Sequence, residues 1–195
     1  MAQTRRESKD RQVELTEAAL RIIASQGIAA LSTRTLAAEV GLSSGAIFRH
    51  FSSLDALLDA VVGRVEAVLE ETYPPASLPP VTRLERFVEA RGTAVGQQLG
   101  ILRLVLSEQF LLALPDGASK RLTACVTRTR AFVTECLRDA QAAGEVRDDL
   151  PADTLTPIVM GTVQMLALSP AKARRRRAET RDVLASLLTL LRPPE

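Results

Sequence analysis

The feature that most constrains this chain is the stretch Thr33 to Phe51, TRTLAAEVGLSSGAIFRHF. Ser32 is placed to cap a helix, its hydroxyl accepting one of the backbone N–H groups that the first turn leaves unpaired. Leu36, Ala37 and Val40 recur at helical spacing, so a first helix over about 33–40 buries one face. Gly41 follows, the residue best able to take the left-handed conformation that ends a helix. Leu42 plugs the turn into the core, and Ser43 caps a second helix over about 44–50. That helix carries Gly45 and Ala46 near its start and turns Ile47 and Phe51 inward.

Two short helices about a glycine turn fit two descriptions. One is an ordinary helical hairpin inside an all-α protein. The other is a DNA-reading element, because small or polar residues at the exposed N-terminal end of the second helix let its backbone approach base edges in a major groove. The pattern favours the second without excluding the first.

Composition sets the class. The chain of 195 residues is 46% hydrophobic and 25% charged, ordinary for a globular protein, with aromatic residues at only 3%. Alternating strand patterns are missing, and an all-α fold is expected. The formal net charge is +2, so contact with nucleic acid has to come from local clustering of cations. Cys125 and Cys136 fall on one expected helix, roughly 16 Å apart and too far to bridge within it. Reduced core thiols in a cytoplasm fit best, with a redox sensor as the alternative. No apolar run approaches the length of a membrane span and the N-terminus has no signal-peptide pattern, so a soluble, cytoplasmic protein is expected. One histidine, no metal-ligand spacing around it and no glycine-rich phosphate loop leave catalysis little to stand on. Neither metal nor cofactor is expected, and no membrane partner.

Taken in order, residues 1–11 set Arg5, Arg6, Lys9 and Arg11 against Glu7 and Asp10. They read equally as a frayed terminus or as a basic arm along DNA phosphates or the minor groove. Leu15, Ala18, Ala19, Ile22 and Ile23 form an amphipathic stripe on a helix from about Ser8 to Ser25, ended by Gly27. After Phe51, a helix over about 54–72 with Ser53 as cap presents a broad apolar face, and prolines break it. Further helices are expected over about 82–98, 101–113, 118–143, 152–168 and 178–192. The chain divides into a DNA-binding part, 1–53, and a helical part, 54–195, with helix 54–72 as the link.

Three glycines, Gly92, Gly96 and Gly100, are spaced by four. They suggest a close helix crossing or wall space for a ligand, unless Gly100 ends the helix and Gly96 frays it. Residues 101–112 are apolar nearly all round, which predicts a buried helix whose polar members need partners. Glu108 and Gln109 are therefore candidate ligand-pocket groups, with Arg91, Gln98 and Gln164 behind them; mutual pairing is the plainer alternative. With few aromatics here, an aliphatic-lined cavity is expected rather than a stacking cage. Pro157 either starts a helix or kinks one begun near Pro151. Lys172 to Arg177, a basic run, invites a nucleic-acid reading, with a solvated loop as the other reading and the one that the family resemblance given below implies.

The run ALSTRTLAAEVGLSSGAIFRHFSSLDALL resembles the N-terminal DNA-binding domain of the tetracycline-repressor (TetR) family of transcriptional regulators. The core V-G-x-S-x-G-x-I-F-x-H-F aligns without a gap, and the resemblance covers roughly residues 10–70. It implies that Thr33 contacts phosphate and that Arg34 reads guanine through paired hydrogen bonds. It places Ser43, Ser44, Gly45 and Ala46 at the opening of the recognition helix, with Arg49 reaching base or phosphate from its outer end. His50 would donate to phosphate, or be a satisfied half-buried histidine. Two residues depart from the family pattern: Phe48 replaces a tyrosine that bonds phosphate, and Leu54 replaces a capping lysine that meets the DNA backbone. Both imply weaker anchoring.

The segment from Gly144 to Pro151 resembles a linker found late in the family, and the last two helices would form a four-helix dimer interface. The implied partners are a double-stranded DNA operator, a second copy of the chain and an unidentified small-molecule effector. A homodimer reading a near-palindrome, released when effector moves helix 54–72, would act as a repressor. A DNA binder of architectural or partner-responsive type, without a small ligand, is the alternative.

Overall fold

The computed structural model describes residues 2–97, 107–168 and 173–194. Among these are nine α-helices, one short 3-10 helix and no strand. The helices are α1 (Ala2–Gln26), α2 (Thr33–Val40), α3 (Ser44–Ile47), α4 (Leu54–Glu70), α5 (Pro80–Gln97), α6 (Glu108–Ala113), α7 (Asp116–Ala142), α8 (Ala152–Leu168) and α9 (Ala173–Leu191), with the 3-10 helix at Ile28–Ala30. They form two compact units. One holds the described residues of Met1–Ala67 and Leu99–Thr123, the other those of Val68–Gln98 and Ala124–Glu195. The boundaries fall inside α4 and inside α7, so each of these helices contributes to both units.

In the first unit the stripe Leu15, Ala18, Ala19, Ile22 and Ile23 of α1 is buried, together with Leu36 and Ala37 of α2 and Ile47 of α3. From α4 come Leu57, Leu58, Val61, Val62 and Val65, all buried. Gly27 ends α1 with φ 85°, a left-handed conformation. The helix begins at Ala2 rather than near Ser8, because Arg, Glu, Lys and Gln in that stretch are good helix formers and nothing there breaks the turn. Ser53 caps α4 by accepting from the Ala56 N–H at 3.1 Å. Arg64 of α4 pairs with Glu17 of α1 at 2.6 Å. Arg121 of α7 pairs with Asp59 at 2.7 Å and with Glu66, both on α4.

The expected helix 101–113 is seen only from Glu108 to Ala113, with Ser107 as its cap; residues 101–106 lie outside the described residues. Phe110 and Leu114 turn inward, whereas Glu108 and Gln109 are exposed. The expectation that a helix apolar all round would bury those two polar residues does not hold. A helix of six residues buries only one narrow face.

In the second unit α5 packs against α8 and α9 around Leu84, Phe87, Val88, Val133, Leu137 and Val159. The α5–α9 crossing is close at Gly92, where a β-carbon would stand 3.0 Å from the Thr180 Oγ1 and 3.1 Å from its Cγ2. Gly92 thus answers to the helix crossing. Gly96 lies in the last turn of α5, and Gly100 lies outside the described residues. Gly144 ends α7 with φ 71°, and the Arg147 N–H then donates to the Leu191 carbonyl at 2.8 Å, tying the linker to the end of α9. Pro157 lies inside α8, a helix that begins at Ala152 and runs through it. Cys125 and Cys136 are both buried, and burial pushes the Cys136 thiol up to about 11.

The basic run is not a loop. Residues from Ala173 onward are helical, and Arg176 is only 5% exposed, while Arg174, Arg175 and Arg177 are exposed. Arginine and alanine are strong helix formers, and one buried face fixes the turn. Lys172 lies outside the described residues.

Candidate nucleic-acid interface

The local chemistry of the helix pair follows from its caps. Ser32 Oγ accepts from the Thr35 N–H at 3.1 Å, and Thr35 Oγ1 accepts from the Ser32 N–H at 2.9 Å, a reciprocal capping box at the start of α2. Gly41 ends α2 at φ 67° and ψ 31°, and the Leu42 N–H donates to the Ala37 carbonyl at 2.9 Å. Leu42 is half-buried rather than fully enclosed. Ser43 Oγ accepts from the Ala46 N–H at 3.3 Å and starts α3. The second helix is shorter than its expected span of 44–50, since α3 ends at Ile47. Beyond it the chain tightens: the Arg49 N–H donates to the Ala46 carbonyl at 3.2 Å and the His50 N–H to the Ile47 carbonyl at 3.0 Å. These are three-residue spacings, the common way for a helix to close its last turn.

Ser44 and Gly45 are exposed at the opening of α3, with Ala46 half-buried beside them. A β-carbon at Gly45 would meet nothing within 4 Å, and its φ is not positive. Neither packing nor backbone conformation requires glycine there. Arg34 and Arg49 are exposed and make no ion pair among the described residues. Thr33 is half-buried at the first position of α2. Phe48 is 52% exposed, a large apolar ring presented to solvent. His50 is half-buried, and its Nδ1 is buried without a hydrogen-bond partner among the described residues.

Gln12 and Thr35 belong to this assembly, although the sequence pattern does not single them out. The Gln12 side-chain amide donates to the His50 carbonyl at 2.8 Å, fixing the end of the second helix on α1. Thr35 stands where a capping box usually has Glu or Gln, and its hydroxyl serves the same role at shorter reach.

The described ligand candidates are divided between the two units. Arg91 and Gln164 belong to the second unit and Glu108 and Gln109 to the first, while Gln98 lies outside the described residues. Gln164 is half-buried on α8. Arg91 is 3% exposed, with its guanidinium 5.0 Å from the Phe87 ring centre and 5.4 Å from that of Tyr73. It donates to Thr129 Oγ1 at 3.2 Å and has no carboxylate partner among the described residues. Burial lowers its pKa from the ordinary guanidinium value, with Tyr73 opposing the shift. A cavity of about 680 Å³ lies in the same unit, against α5, α9 and residues 71–78. No group of His, Cys, Asp and Glu among the described residues could hold a metal ion.

A capped helix, a left-handed glycine turn and a second short helix with an open, side-chain-poor start are the parts of a helix-turn-helix DNA-binding domain. Residues 15–61 match the sequence model of the bacterial regulatory proteins of the tetR family. Along its length the chain is similar to the HTH-type transcriptional regulator SrpR of Pseudomonas putida, at 24% identity over 199 residues, covering 98% of this chain and 90% of SrpR. Its fold is similar to that of the ketosteroid transcriptional regulator KstR2 of Mycobacterium tuberculosis, with a TM-score of 0.75 at 20% identity over 93% of this chain and 95% of the other. It is also similar to AibR, solved in complex with isovaleryl coenzyme A and operator DNA, with a TM-score of 0.77 at 18% identity over 95% and 100%. By its helix-turn-helix segment the chain matches the TetR family of transcriptional regulators, and its fold is similar to theirs. No helix among the described residues is long and apolar enough to cross a membrane.

Proposed function

We propose that this regulator is a ligand-responsive repressor, cytoplasmic, that binds a near-palindromic operator as a homodimer. The observation that carries the DNA reading is the start of α3. Gly45 faces open space there, so nothing among the described residues accounts for its missing side chain, whereas close approach to base edges does. Arg34 and Arg49, exposed and free of ion pairs among the described residues, supply the guanidinium groups for guanine and phosphate. Thr33 and Ser43 to Ala46 complete the contact surface, with Phe48 beside them and His50 donating to phosphate from its outer side.

Exposed Ile158 and Met165 on α8 and Leu190 on α9 support a dimer face built from those two helices. In this reading residues 1–53 bind DNA, residues 54–195 dimerise and hold the effector, and α4 transmits the signal. The cavity against α5 and α9 favours an effector over a DNA binder without one. AibR, whose fold is similar, was solved with both a coenzyme A thioester and operator DNA.

Selection of bound sequences from a random DNA pool tests the proposal, with an Arg34→Ala/Arg49→Ala double variant as control. Enrichment of a near-palindrome by the native chain, lost in the double variant, is the expected result. A folded protein that enriches no sequence would overturn the reading.

A further inference from the structure

We propose that the cavity against α5, α9 and residues 71–78 is the receptor for a small amphipathic anion, an acidic head on an apolar body. The inference rests on the ligand-responsive reading above and gives its effector a place and a chemistry. The cavity volume, about 680 Å³, lies within the range of small-molecule sites.

Two helix faces build it. On α5 the lining positions Thr82, Arg86, Glu89 and Ala90 recur at helical spacing, and on α9 Arg177, Thr180 and Arg181 do the same. Each set is therefore one stripe aimed at the same space. Tyr73, Pro74, Pro75 and Leu78 supply an apolar wall from the connecting segment.

The charge distribution is uneven. Arg86, Arg177 and Arg181 make no ion pair among the described residues, even though Glu71 and Glu89 line the same cavity. Arg177 and Arg181 lie one turn apart on one helix face, an arrangement of like charges that is unfavourable unless something neutralises it. Tyr73, one of the lining residues, also carries the buried Arg91 guanidinium 5.4 Å from its ring centre. Three guanidinium groups that form no ion pair among the described residues are what a carboxylate or phosphate would complete. The prolines, Leu78 and Ala90 would cover its apolar part.

The test is calorimetric titration of the full-length protein with decanoate, with decyl phosphate and with the neutral decanol, in the native chain and in an Arg86→Gln/Arg177→Gln/Arg181→Gln variant. All three arginines are exposed, so the variant keeps its core. The expected result is binding of at least one anion at one site per protomer, about tenfold weaker in the triple variant, with decanol weak in both. The ratio of decanoate to decyl phosphate affinity names the head group. Equal binding of decanol and the anions, or unchanged anion affinity in the triple variant, overturns the proposal. A parallel operator titration separates the two readings. Arginine-dependent anion binding that leaves operator affinity unchanged upholds this site and counts against the ligand-responsive reading. Operator release by a compound whose binding ignores the three substitutions does the reverse.

Discussion

The Gln12 side-chain amide donates to the His50 carbonyl at 2.8 Å, joining α1 to the turn that closes the second helix of the DNA-binding motif. That helix has only four residues in regular α conformation, too few to hold its own direction. Its orientation is set by this bond at one end and by buried Ile47 and Phe51 beneath it.

Gln12→Ala should therefore lower stability by about 1 kcal/mol, the ordinary worth of one such hydrogen bond. It should also weaken operator binding, although Gln12 is not among the residues assigned to DNA. Urea unfolding and a DNA titration on the same variant measure both; an unchanged operator affinity would show that packing alone orients the helix.

At Gly45 stability and binding should part company. Gly45→Ala faces open space and replaces a poor helix former, so the fold should gain up to about 1 kcal/mol. Gly45→Leu should fold as well as the native chain, yet lose about tenfold or more in operator affinity, a penalty of about 1.4 kcal/mol. Thermal melts beside DNA titrations report the two effects separately.

The crossing of α5 and α9 at Gly92 makes the opposite case. A β-carbon there meets both the Oγ1 and the Cγ2 of Thr180 near 3.0 Å, so turning the threonine side chain exchanges one clash for another. Gly92→Ala should cost about 1 kcal/mol despite its better helix propensity. Adding Thr180→Ala should remove most of that cost, and a double-mutant cycle in urea measures the coupling.

Both thiols should resist reagents in the folded protein. Cys125 and Cys136 are buried, and Cys136 holds its proton up to about pH 11. An aromatic disulfide reagent at pH 8 should label neither cysteine until denaturant is added, and then both. Because the folded pKa of Cys136 is raised, its protonated form favours the fold below the usual thiol pKa. That contribution should fall away as pH rises from about 9 to about 11.

What could be read from the sequence is what a few neighbouring residues decide. Ser32, Gly41, Ser43 and Ser53 cap or end helices because each acts on backbone groups within about one turn of itself. The buried stripe of α1 follows from helical periodicity alone. The positions that went otherwise depend on residues distant along the chain. Arg176 is buried in what its charges suggest is a loop, Glu108 and Gln109 are exposed where apolar neighbours suggest burial, and Arg91 lies against Tyr73 and Phe87. Capping and periodicity fix conformation over a turn or two, whereas burial and partner depend on which other helix arrives beside the side chain. The sequence alone determined an all-helical chain with a helix-turn-helix near its start. Tertiary packing decided which cations stay unpaired, because the desolvation and pairing of a charge are set by atoms that only the fold brings together.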